Sequence, residues 1–135
     1  MASTTFSGPV TSTNGFIGDV TGNVTGTLTG NQTIPTTTKA AAGSTQGGAT
    51  ELALGFNLVT AADGTKGVKL PTAAAGYIVL VKNNAASTLK VYPGTSDKIN
   101  GGTATTGALD VVANTSAMLI AYDATDWYSI PLVPS

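Results

Sequence analysis

Gly18-Asp19-Val20-Thr21, Gly22-Asn23-Val24-Thr25, Gly26-Thr27-Leu28-Thr29 and Gly30-Asn31-Gln32-Thr33 are consecutive tetrads, each opening with glycine and closing with threonine. A period of four is two periods of an extended strand. Gly18, Val20, Gly22, Val24, Gly26, Leu28 and Gly30 therefore share one face, and Asp19, Thr21, Asn23, Thr25, Thr27, Thr29 and Asn31 share the other. A helix competes poorly, because a glycine in every turn costs about 1 kcal/mol each relative to alanine and the β-branched residues between add no helical preference. Counted from Asn14, the extended stretch far exceeds a usual strand of about 5–6 residues. Its apolar face alternates bare glycine with a bulky side chain, so it cannot bury itself. It is expected to need neighbours whose backbones come close where glycine leaves room: copies of the same chain, or the sheet edge of another protein.

The composition narrows what the rest of the chain can do. A length of 135 residues fits one modest domain plus an appendage. There is no His, Cys or Arg, which removes the commonest general base, the thiol nucleophile and the bidentate anion clamp. Neither an enzyme nor a cofactor is expected. Six lysines against seven acidic residues give a net charge of −1 with no charged run, so nucleic-acid binding is not expected. No stretch approaches the roughly 20 apolar residues of a membrane span, and the N-terminus lacks a basic region followed by an apolar run. A membrane partner is not expected, nor export by a cleaved signal.

Three regions follow from the pattern. Residues 1–35 form an extended arm carrying the tetrads, with Phe6, Phe16 and Ile17 as its bulky anchors. Those anchors either pack against the arm itself or fill pockets on a partner. Pro35 lacks a ladder donor and marks a boundary. Residues 36–48 are mostly Ala, Gly, Ser, Thr and Gln, too small for a core, and read as a linker or surface loop. Residues 49–135 are the compact part. Strands are expected at 49–54, 56–60, 67–70, 77–82, 88–92, 109–113, 117–122 and 127–132, separated by turn-forming clusters such as Asp63-Gly64, Asn83-Asn84, Pro93-Gly94 and Asn100-Gly101-Gly102. Tyr77-Ile78-Val79-Leu80-Val81 is apolar on both faces and belongs in the middle of a sheet. Thr88 to Tyr92 alternates and should have one wet side. The fold class is all-β, with the arm followed by a small jelly-roll-like β-sandwich. So few large side chains favour an oligomer.

Candidate chemistry is sparse. Asp123-Ala124-Thr125-Asp126-Trp127 places two carboxylates and an aromatic ring near a loop, which suits calcium or a stacked sugar; the plainer account is a hairpin turn whose aspartates cap backbone donors while Trp127 anchors the last strand. Asp97-Lys98 with Asn100 reads as a loop whose surface ion pair matters little. Asp63-Gly64-Thr65-Lys66-Gly67 contains no Gly-Lys pair and opens no helix, so it reads as a turn and not a phosphate loop. Asn23, Asn31 and Asn114 match the glycan-acceptor pattern through abundant Asn and Thr alone. No metal site and no catalytic residue is expected.

Phe6-Ser7-Gly8-Pro9-Val10, Asn14-Gly15-Phe16-Ile17-Gly18, the Gly-x-Val-Thr tetrads, Leu70-Pro71, Gly76-Tyr77, Val91-Tyr92-Pro93, Ile99-Asn100 and Trp127-Tyr128 together resemble small virion structural proteins of tailed bacteriophages, of the capsid decoration (cement) and head-fibre types. The resemblance covers most of the chain, although Leu28 and Gln32 replace the valine of the third and fourth tetrads. It implies a protein on the capsid exterior, with the major capsid protein as partner and a homotrimeric outer domain. The arm would add a strand to an exposed capsid edge, with Val20, Val24 and Leu28 in shallow pockets beside the anchors Phe6, Phe16 and Ile17. The alternative it leaves open is a trimeric fibre or receptor-binding tip that recognises a host surface glycan.

Overall fold

A computed structural model of the chain describes residues 33–132. The tetrads before Thr33 and the arm positions Phe6, Phe16, Ile17, Val20, Val24 and Leu28 lie outside the described residues. The described part is all-β, with strands β1 (Thr36–Ala40), β2 (Thr50–Glu51), β3 (Gly55–Ala61), β4 (Gly67–Lys69), β5 (Ile78–Asn83), β6 (Leu89–Tyr92), β7 (Lys98–Ile99), β8 (Leu109–Val111), β9 (Ser116–Ala121) and β10 (Asp126–Leu132), and a 3-10 turn at Gln46–Gly48. They form a six-stranded sheet ordered β1-β3-β5-β9-β10-β7 and a four-stranded sheet ordered β2-β4-β6-β8.

From β1 to β9 the chain passes from one sheet to the other at every step. β1, β3 and β5 run parallel, with Thr36, Phe56 and Leu80 in register. β2, β4 and β6 run parallel in the other sheet, with Thr50, Val68 and Val91 in register. The result is three stacked two-strand coils, a short solenoid in which each coil leans on its neighbour. Parallel neighbours ordinarily need a crossover of a dozen or more residues. Here each crossover contains a strand of the opposite sheet. The later chain then returns antiparallel, β8 against β6, β9 against β5, and β10 against β9, while the short β7 pairs parallel with β10.

Alternation along the strands makes the core. Val59, Val79, Val81, Leu119 and Trp127 of the six-stranded sheet meet Val68, Leu70, Leu89, Val91 and Val111 of the other, all buried. Two buried asparagines tie the corners. Asn57 accepts hydrogen bonds from Thr37 Oγ1 (2.8 Å) and the Ala53 N–H (3.0 Å), and donates to the Ala53 carbonyl (2.8 Å). Asn83 accepts from the Ala85 N–H (3.0 Å) and donates to the carbonyls of Ser87 and Val111 (2.9 Å each). Each thereby supplies partners for corner and strand-end backbone groups that no ladder reaches. Gly55 adopts φ +92° and has no room for a side chain, because a Cβ there would collide with the Pro35 carbonyl oxygen. That close approach brings the Phe56 N–H to within 2.9 Å of the same oxygen and starts the β1–β3 ladder.

Three expectations need correction. Residues 36–48 are not a linker: Thr36–Ala40 is an edge strand, Ala41 is buried, and the Ala41 N–H donates to the Ala61 carbonyl at 2.9 Å. Threonines are strand formers when one side can dock, and Thr37 docks on Asn57. Asp97-Lys98 is not a simple surface loop either. Lys98 belongs to β7, and buried Asp97 accepts a hydrogen bond from the Ala73 N–H at 2.8 Å. Finally, five of the eight ladders are parallel, unlike the antiparallel Greek keys of a jelly roll. Several of the turn clusters, Asp63-Gly64 among them, carry the chain from one sheet to the other.

Candidate functional site: an apolar outer sheet face

The register fixes which side chains point away from the core of the six-stranded sheet. One row across it reads Thr36, Phe56, Leu80, Met118, Ile130. The row on one side reads Ile78, Ile120, Tyr128. The row on the other side reads Thr38, Leu58, Lys82, Ser116, Leu132. Ile78 is 44% exposed, Tyr128 50%, Ile130 45% and Leu132 40%. Phe56, Leu58, Leu80, Met118 and Ile120 are half-buried. Lys82 is the only charge in the three rows, and its ammonium donates to the Asn114 carbonyl in the β8–β9 turn.

The outer face of the four-stranded sheet is built differently. Glu51 pairs with Lys69 at 3.6 Å and Lys90 with Asp110 at 2.7 Å, each across neighbouring strands. The hydrogen bond that the Lys90 ammonium donates to the Asp110 carboxylate holds its pKa above the usual value. Beside them the Tyr92 ring lies over Gly67, where a Cβ would come within 2.6 Å of it, and its hydroxyl donates to the Ser44 carbonyl at 2.8 Å. One outer face is therefore charged and partly roofed by the chain itself. The other is apolar across the rows of β3, β5, β9 and β10, with its one ion pair, Lys98–Asp126, at the β7 end, and an apolar patch of this kind is a candidate contact surface.

The acidic turns serve the backbone. Asp123 Oδ1 accepts from the N–H groups of Thr125 and Asp126 (2.8 Å each), and Asp126 pairs with Lys98 at 3.3 Å. Asp63 Oδ1 repeats the arrangement with the N–H groups of Thr65 (3.0 Å) and Lys66 (2.9 Å). These donors favour the ionised form and hold both carboxyls well below the usual carboxylate range. Trp127, next in the chain, is fully buried and anchors β10. Among the described residues no group of three His, Cys, Asp or Glu side chains gathers to hold a metal.

Two further features border the apolar face. Tyr122, 73% exposed, meets Tyr128 edge to face with ring centroids 6.2 Å apart. An apolar groove of about 350 Å³ runs between β8 and the β9–β10 pair, lined by Leu109, Val111, Val112, Ala117, Pro131 and Leu132. Sequence reasoning does not single out the residues of this apolar face, Ile78, Leu80, Met118, Ile120, Tyr128 and Ile130; the one signal for them is Tyr77 to Val81, apolar on both sides, which by itself indicates a central position in a sheet. Comparison with protein-family models, with curated proteins and with solved structures gives no significant match.

Proposed function

We propose that this chain is a structural, non-enzymatic assembly protein of a bacteriophage capsid exterior, a decoration protein that clamps neighbouring subunits of the major capsid protein. The observation that carries the reading is the contrast between the two outer faces: a domain with one charged face and one apolar face is made to be covered on one side. The tetrad arm supplies the attachment to the shell, whereas the apolar face is left for contacts between subunits. Its main-chain groups would add a strand to a capsid edge, with Val20, Val24 and Leu28 in shallow pockets and Phe6, Phe16 and Ile17 as anchors. An oligomeric outer domain would multiply such arms, and several weak contacts on a repeating lattice hold more firmly than one. The test is co-sedimentation with assembled heads. The full chain is expected to pellet with them, and a chain lacking residues 1–33 to stay in the supernatant with its Trp127 emission unchanged. Undiminished binding by the shortened chain would overturn the role of the arm.

A second reading has one observation in its favour. The exposed Tyr122–Tyr128 pair beside the Asp123 turn offers ring faces and polar atoms of the kind that hold a sugar, as a fibre or receptor-binding tip would require. Under that reading the protein binds host cells and a defined glycan without any capsid; a glycan array without a hit would count heavily against it.

A further inference from the structure

We infer that copies of this chain pack on one another through the outer face of the six-stranded sheet, centred on Leu80 and Met118. The inference goes beyond the capsid reading, because it requires no capsid.

Charge argues for a second copy as the occupant. Within the three rows the only charged side chain is Lys82, and its ammonium is already directed to the Asn114 carbonyl. Two such faces brought together meet no like charges and strand no unpaired ion, the two costs that ordinarily keep identical surfaces apart. The polar groups in the rows are small: Thr36 and Thr38 at the β1 edge, and Ser116. The pairs Glu51–Lys69 and Lys90–Asp110 sit on the other sheet, and the one pair on this sheet, Lys98–Asp126, lies outside the three rows at the β7 edge with its charges already matched.

Size and shape agree. The rows cross five strands, β1, β3, β5, β9 and β10. At about 4.8 Å between strands and about 6.8 Å between same-face rows, they cover on the order of 450 Å² per copy. Two copies would bury roughly 900 Å² before side-chain relief is counted, the size of a small, weak interface and not of a permanent one. A pleated sheet packs face to face on another at about 10 Å. The unbranched side chain of Met118 in the middle row can adjust to a facing copy of itself. Tyr128 and Ile130, 50% and 45% exposed, supply an aromatic and an aliphatic anchor.

The test uses the full chain in solution. Its mass by light scattering at micromolar concentration is expected to be a multiple of 13.3 kDa. Leu80→Lys and Ile130→Lys are each expected to return it to the monomer mass, with Trp127 emission and far-ultraviolet circular dichroism unchanged. Peroxide oxidation of Met118 in the unmodified chain is expected to be at least several-fold slower in concentrated than in dilute solution. That measurement decides the matter should a lysine variant fail to fold. A chain still of monomer mass at about 100 μM would overturn the proposal. So would folded lysine variants that keep the full assembled mass, or a Met118 oxidation rate independent of concentration. Head binding is scored separately: an intact oligomer that ignores heads sinks the decoration reading and leaves this one standing.

Discussion

At the residue scale, Asp63 and Asp123 share a local design, an aspartate followed two residues later by threonine, with the carboxylate oxygen accepting both of the next available N–H groups. The two sit at corners the chain must turn sharply, β3 to β4 and β9 to β10. Their folded pKa values lie below those of a free carboxyl. The linkage sign follows directly. The stabilisation each provides is complete above the unfolded value of about 3.9 and is lost as pH falls through the depressed folded value. Urea midpoints should therefore be level with respect to these two groups from pH 7 down to about 5 and fall below about 4. The double variant Asp63→Asn, Asp123→Asn keeps a side-chain acceptor for the turn but no titration. It should lie below the parent at pH 7 and converge on it in acid; a constant gap across the whole range would contradict the assignment. Both turns were legible in the sequence, because Asp-Gly-Thr and Asp-Ala-Thr carry their own donors and acceptors within a few residues.

At the scale of elements, alternation identified nearly every strand, because a buried face imposes period two whatever strand lies alongside. It did not identify the neighbours. Val68 reads the same whether it faces Val91 of a parallel or an antiparallel partner, and that choice is made by corners such as Asn57 and Asn83, whose bonds reach residues 23 to 29 positions away. Two elements were missed for different reasons. β7 is two residues long and shows no period. β1 is built of threonines behind a proline, and its docking depends on Gly55, where only the absence of a side chain lets Pro35 approach. β1 makes a direct prediction. Amide hydrogen exchange at Thr37, Lys39 and Ala41 should be slowed by orders of magnitude relative to a free chain, as for the β3 amides, because the ladder alternates between the Pro35 carbonyl and the Ala41 N–H. Exchange at free-chain rates in that segment would restore the linker expected from its composition.

At the scale of the whole molecule, the two outer faces of the described domain differ in chemistry, and the role proposed for each is testable by substituting on it. The Lys90–Asp110 pair is short, but it is half open to water, with side chains 33% and 55% exposed. Such pairs contribute about 0–1 kcal/mol, because solvent screens the attraction and two long side chains must be ordered to make it. Lys90→Ala with Asp110→Ala should accordingly shift the unfolding free energy by less than about 1 kcal/mol and weaken further in salt. It should leave the solution mass untouched. A lysine at Leu80 or Ile130 should do the reverse. It changes little in the isolated domain, since the side chain can reach water, yet it places a charge where another apolar surface would have to cover it. Double substitution on each face, read by urea midpoint and by mass, separates a face that is merely wet from one that is used. If the charged face controlled association and the apolar face did not, the asymmetry would be a matter of solubility alone, and the case for an assembly protein would have to rest on the tetrad arm.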